Sequence, residues 1–127
     1  MDKKTLVNID IEEGKKVIDL LDRSGMQISS AFWLYLTEIQ EWRLMLATPD
    51  IDTLGRKKTY AKILELLNQH LESIDMPLDA ISIISPNQDL NKHLRTVMDK
   101  GKGISGRFSG IVVNGTLIED TYLYRVN

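Results

Sequence analysis

Three groups of residues have types and spacings suited to chemistry. The first is Gly101-Lys102-Gly103-Ile104-Ser105-Gly106, which spells G-x-G-x-x-G, with Lys100, Lys102 and Arg107 beside the glycines. In a dinucleotide site this string follows a strand and opens a helix whose N-terminus faces the pyrophosphate. Here it follows a predicted helix and leads into a strand, so the helix end that meets it is the negative one. The expected role is a helix stop at Gly101, with flanking cations that could still contact phosphate oxygens. The second group is Gly55-Arg56-Lys57-Lys58. It places three cations on the first turn of a predicted helix, against the macrodipole, at a cost of about 0.3–1 kcal/mol each. Asp50 and Asp52 upstream offset them structurally. Read for function, free N–H groups and three cations together attract phosphate. Arg56, Lys57, Lys58, Lys100, Lys102 and Arg107 are therefore the candidate anion-binding residues.

The third group lies on a predicted hairpin. Asn114-Gly115 favours a type I′ turn, because both residues tolerate positive φ. A two-residue loop then pairs residues whose numbers sum to 229: Ile111 with Ile118, Ser109 with Asp120, Arg107 with Tyr122, and Ser105 with Tyr124. On this reading all eight side chains share one face. Ser109, Asp120, Tyr122 and Tyr124, with Arg107, could bind a polar ligand or support acid–base work. The structural alternative is an ion pair within a hydrogen-bonded cluster. Glu119 points to the other face, so Glu119 and Asp120 form no carboxylate pair.

Other motifs are missing. His70 and His93 fall on different helices without an i+4 ligand, so no metal site is expected, and both read as edge-of-core residues. No G-x-S-x-G, Walker A or H-E-x-x-H string occurs, no cofactor is implied, and the catalytic residues, if any, are unknown. Glu41-Trp42-Arg43 breaks nuclease-type Glu-x-Lys spacing, and Asn114-Gly115-Thr116 reads as a turn rather than a glycosylation sequon. Trp33, Tyr35 and Trp42 gather on a first hairpin, as core or as a partner surface. That hairpin, with its Trp-Arg-Leu-Met-Leu-Ala return, resembles the paired strands of small-ligand sensor domains and supports no family assignment.

The elements that must position these residues follow from periodicity. A helix is predicted over 11–23, capped by Asp10 with Glu13 completing a capping box, and Gly25 suits the position just past its end. Strands over 31–36 and 42–47 form the first hairpin. The first strand is apolar on both sides, which places it centrally between covered faces. Tyr60, Ile63, Leu64, Leu67, Leu71 and Ile74 mark a helix over 56–73. A short β-branched strand spans 81–84, and a helix over 86–100 is capped by Ser85 with Pro86 at its first position. The arms 104–113 and 116–126 close the chain. The fold class is α+β: a mixed sheet of about five strands, from two hairpins and one short strand, with three helices in the order α-β-β-α-β-α-β-β.

Composition narrows the function. The 127 residues carry 16 Lys plus Arg and 18 Asp plus Glu, a net charge of −2, and no Cys. Disulfides, thiolate metal sites and Cys nucleophiles are excluded. The length suits one domain. No apolar run has membrane-spanning length, and the charged N-terminus lacks a signal-peptide pattern, so a cytoplasmic location is expected. Residues 53–62 and 92–107 each carry a net +4, leaving −10 elsewhere. The leading expectation is a non-catalytic module that binds a protein partner or a second copy of itself, with no membrane contact. A phosphate or nucleic-acid binder through 56–62 and 100–107 is the alternative. A small enzyme centred on Arg107, Asp120 and Tyr122 is the weaker one.

Overall fold

The computed structural model describes residues 8–100, 106–113 and 115–126. In chain order the elements are α1 (Asn8–Arg23), β1 (Ser30–Leu36), β2 (Glu41–Ala47), α2 (Asp50–Leu54), α3 (Arg56–Asn68), β3 (Ile81–Ile84), α4 (Asp89–Lys100), β4 (Gly106–Val113) and β5 (Thr116–Arg125). The strands form one mixed sheet in the order β3-β2-β1-β5-β4. β2 and β3 are parallel, and the other pairs are antiparallel. The α+β architecture with two hairpins and one short strand is as the sequence predicts. The short α2 is additional, with Asp50 and Asp52 in its first turn, where the helix dipole favours acids.

Side-chain alternation splits the core into two layers. One sheet face carries Ala31, Trp33, Trp42, Leu44, Leu46, Ile81 and Ile83, covered by Val17, Ile18 and Leu21 of α1 and Ile63 and Leu67 of α3. The opposite face carries Phe32, Leu34, Met45, Ala47, Ile84 and Leu123, covered by Leu94 and Leu90 of α4. β1 is therefore buried on both faces and central, as its continuous apolar run implies.

The sheet edges differ. At the β3 edge, the carbonyls of Ile81 and Ile83 point the same way, two residues apart. Tyr60 Oη of α3 donates to the first, and Arg56 Nη1 donates to the second at 2.9 Å. Arg43 adds Nη2 bonds to Asp79 O and Ile81 O and an Nε bond to Ser82 Oγ. Side chains thus occupy polar groups that an edge strand otherwise offers to another chain. At the other edge, Arg107, Ser109, Gly110 and Val112 of β4 are all exposed.

Helix ends depart from expectation for local reasons. α1 begins at Asn8, which puts Asp10 inside the first turn instead of at the cap. Glu13 makes no capping box. Its buried carboxylate accepts the Asp75 N–H at 2.5 Å and pairs with Lys16 at 2.7 Å. The C-terminus of α1 is as expected. Gly25 has φ +84, its N–H donates to Asp22 O, and Met26 N–H donates to Leu21 O. α3 stops at Asn68 and not at 73, because the chain turns to bury Ile74 and Met76. α4 starts at Asp89 and not at 86. Ser85 Oγ accepts the Asn87 N–H and donates to Asp52 Oδ2, which holds 85–88 as a turn.

α1 is fixed on the sheet by a close approach at Gly14. A Cβ there would overlap Tyr124 Oη and lie 2.8 Å from Trp33 Nε1. That absent Cβ leaves room for a chain of bonds: Trp33 Nε1 donates to Tyr124 Oη at 2.9 Å, and Tyr124 Oη donates to Ile11 O at 2.6 Å. Burial pushes the Tyr124 phenol pKa well up from its ordinary value, while the Trp33 bond opposes this. In an isolated helix, Gly14→Ala would stabilise by about 1 kcal/mol. In this protein it should destabilise by about 1–3 kcal/mol through overpacking, measured by urea denaturation. Adding Tyr124→Phe, which removes the overlapping oxygen, should make the double variant less than additive.

The Glu13 contacts also make stability depend on pH. The Lys16 ammonium and then the Asp75 N–H hold its carboxyl below the ordinary 4.5, against desolvation. A depressed folded-state value gives stability that is full above the unfolded value and lost as pH falls through the folded one. Denaturation midpoints of wild type and Glu13→Gln should therefore differ at neutral pH and converge as pH drops below 4.5. A constant difference across that range would exclude this role for Glu13.

Candidate functional site

The second hairpin has the register its turn predicts. Arg107 faces Tyr122, Ser109 faces Asp120, and Ile111 faces Ile118. The Ser105–Tyr124 pairing lies outside the described residues. The shared face is only partly as expected. Ile118 is buried with Phe32, Leu34 and Leu123 on the α4 side, whereas Tyr122 and Tyr124 pack against the α1 side. Gly110 lies between the two groups with φ +69, a left-handed conformation that turns the strand between Ser109 and Ile111.

Arg107 and Asp120 make a two-pronged ion pair. Nε donates to Oδ1 at 3.0 Å, and Nη2 donates to Oδ2 at 2.7 Å. Asp120 raises the Arg107 pKa, against a smaller lowering by desolvation. The guanidinium carbon lies 5.6 Å from the Trp42 ring centroid, in range for a cation–π contact. Trp42 in turn meets Tyr35, with ring centroids 5.4 Å apart. The Tyr122 and Tyr124 rings meet edge to face at 5.2 Å. The Arg107–Trp42 contact joins the two hairpins, because β5 pairs with β1 through Trp33↔Tyr122 and Leu34↔Thr121. Thr121 Oγ1 locks the seam by donating to Trp33 O at 2.6 Å.

In sequence the aromatic hairpin and the Arg107–Asp120 hairpin are separate features. Only the β1–β5 pairing unites them, and no local signal encodes it. Trp33 and Trp42 are 4% and 8% exposed, so both indoles belong to the core. The Trp42 indole N–H is buried without an acceptor among the described residues. Tyr35 and Tyr122 are half-buried beside it. Ser109 is exposed opposite Asp120, and Tyr124 is committed to α1.

The anion-binding candidates do not form one patch among the described residues. Arg56 reaches the β3 edge and Arg107 lies on β4 at the opposite edge. Four strand spacings separate these edges, about 19 Å of sheet. Arg56 is bonded to Ile83 O, and Arg107 is bonded to Asp120. Lys57 and Lys58 are exposed on the first turn of α3. Lys100 ends α4, and Lys102 and the G-x-G-x-x-G glycines before Gly106 lie outside the described residues. Both histidines are exposed and not at the core edge. Among the described residues there is no metal-ligating cluster of His, Asp and Glu, and no helix is long and apolar enough to cross a membrane.

Fold and site together describe a mixed five-stranded sheet with helices on both faces and a cation clamped between an aromatic ring and a carboxylate. No family model, curated protein or solved structure matches the chain.

The Arg107–Asp120 pair is partly solvated, with side-chain exposures of 40% and 27%. Its contribution to stability is accordingly small. A double-mutant cycle of Arg107→Ala and Asp120→Asn should give a coupling of about 0.2–1 kcal/mol. Arg107→Ala should also shift tryptophan emission, since it uncovers Trp42. Unchanged emission would contradict the stacking.

Proposed function

We propose that the protein is a non-catalytic, cytoplasmic binding module that engages a protein partner through the sheet end where both hairpin turns emerge. β1 and β4 are each antiparallel to β5 and so run in the same direction. The turns that follow them, at 37–40 and at Gly115, therefore emerge side by side. The observation that carries the proposal is the apolar surface gathered there. Of five large hydrophobic side chains exposed among the described residues, three lie at this end: Ile39 at 53%, Val112 at 53% and Leu117 at 55%. Val112 and Leu117 are cross-strand partners on a hairpin that continues past the last β1–β5 pair, Leu34↔Thr121. Exposed apolar groups rimmed by polar ones mark interaction surfaces. Tyr35, Tyr122 and Arg107 nearby are residue types enriched at such interfaces. The buried tryptophans support the platform without forming the contact.

The anion-binding alternative has weaker support, since Arg56 and Arg107 are bonded within the chain. An enzyme centred on Asp120 is likewise disfavoured by the two-pronged Arg107 pair, which occupies both carboxylate oxygens.

Photo-crosslinking in the native cell tests the proposal. A crosslinking residue at Ile39 or Val112 should give a discrete protein adduct, and one at exposed Glu65 on α3 should not. Adducts from none of these positions, or equally from all three, would overturn it.

A further inference from the structure

We infer that the partner segment docking at the two-hairpin end is basic, a stretch of another protein bearing Lys or Arg. This rests on the preceding reading that the end is a docking surface, and charge supplies the identity. At this end 36–42 carries Glu38 and Glu41 and no Lys or Arg, and 108–121 carries Glu119 and Asp120 and no Lys or Arg, with Asp120 already paired to Arg107. Glu38 and Glu41 are exposed at the first turn. The two arginines bordering the region are already engaged. Arg107 is held by Asp120. Arg43 bonds Ser82 and the Asp79 and Ile81 carbonyls, and lies 3.8 Å from Glu41.

The basic segment 56–62 lies at the opposite end of the sheet. There Arg56 meets Ile83 near the end of β3, and Lys62 pairs with Asp50 at 3.2 Å. With Arg43 and Arg107 counted, 36–43 and 107–121 together net −2, whereas 50–62 nets +2 with Asp50 and Asp52 counted, and a cationic partner is steered to the more acidic hairpin end. The seat of Arg107 shows what the surface accepts: a guanidinium over an aromatic ring, held by a carboxylate. Half-buried Tyr35 and Tyr122 extend that aromatic surface, and exposed Ile39, Val112 and Leu117 suit the apolar residues between the partner's cations. An anionic polymer meets repulsion at the same place.

The test is fluorescence anisotropy of the full chain with three labelled probes. These are a peptide alternating Lys or Arg with Leu, the same peptide with Glu for each cation, and a single-stranded oligonucleotide. The basic peptide should bind, weakening as salt rises from about 0.05 to 0.3 M, and the other two should not. Glu38→Lys with Glu41→Lys, both exposed, should weaken binding by roughly tenfold or more with the melting temperature unchanged. If that pair fails to fold, Glu38→Gln with Glu41→Gln should still weaken binding in the same direction. No binding by wild type, equal binding of the two peptides, preference for the oligonucleotide, or insensitivity to the charge changes would overturn the inference. Self-association in place of peptide binding would do the same. Crosslinks from Ile39 and Val112 that persist despite the charge changes would remove only the basic partner. Loss of those crosslinks in wild type would remove the docking reading itself.

Discussion

The structure depends on one contact, the seating of α1 at Gly14 over Trp33 and Tyr124. Three features must coincide there: a residue without a Cβ, an indole N–H on the central strand, and a phenol on the last strand. Trp33 donates to Tyr124, which donates to Ile11 O. Tyr124 lies 91 positions along the chain from Trp33 and 113 from Ile11, so the contact ties the first helix, the central strand and the final strand together. Glu13, next to Gly14, reaches the other way to Asp75 and fixes the segment after α3. Two adjacent residues of one helix thus anchor both halves of the covered face. At the far end of α1, Arg125 pairs with Asp22 at 2.7 and 3.0 Å and donates to Ile28 O, closing the same arrangement.

With α1 and α3 covering one face and α4 the other, apolar surface is left at the hairpin end. The β3 edge is occupied by Tyr60, Arg56 and Arg43. The β4–β5 hairpin runs past the point where β1 stops pairing with it, and the neighbouring turn carries Ile39 outward. One end of the sheet therefore combines exposed apolar side chains with acid, on a scaffold made rigid by the Thr121 and Tyr124 hydrogen bonds.

Much of the fold was legible wherever the deciding forces are local. The Asn-Gly signal at 114–115 predicts the β4–β5 register found residue by residue, and a two-sided apolar run predicts the central place of β1. The short β-branched strand has its predicted bounds. Helix starts and stops were less legible, because competing local bonds decide them. Ser85 engages Asn87 and Asp52, delaying α4, and burial of Ile74 and Met76 ends α3 early. For the site, the Arg107–Asp120 side was readable from hairpin arithmetic. Its contact with Trp42 was not, since that requires β5 to add to β1. Ile118 lies on the other face, and Gly110, beside its partner Ile111, takes a left-handed conformation that residue type permits but does not require.

The hairpin end is the proposed working surface. Amide shift mapping of the 15N-labelled protein, titrated with the basic Leu-spaced peptide, addresses it residue by residue. The account predicts perturbations concentrated in 37–42, 107–112 and 115–120, with the α3 start at 56–62 undisturbed. Perturbations centred on 56–62, or none anywhere at saturating peptide, would contradict it.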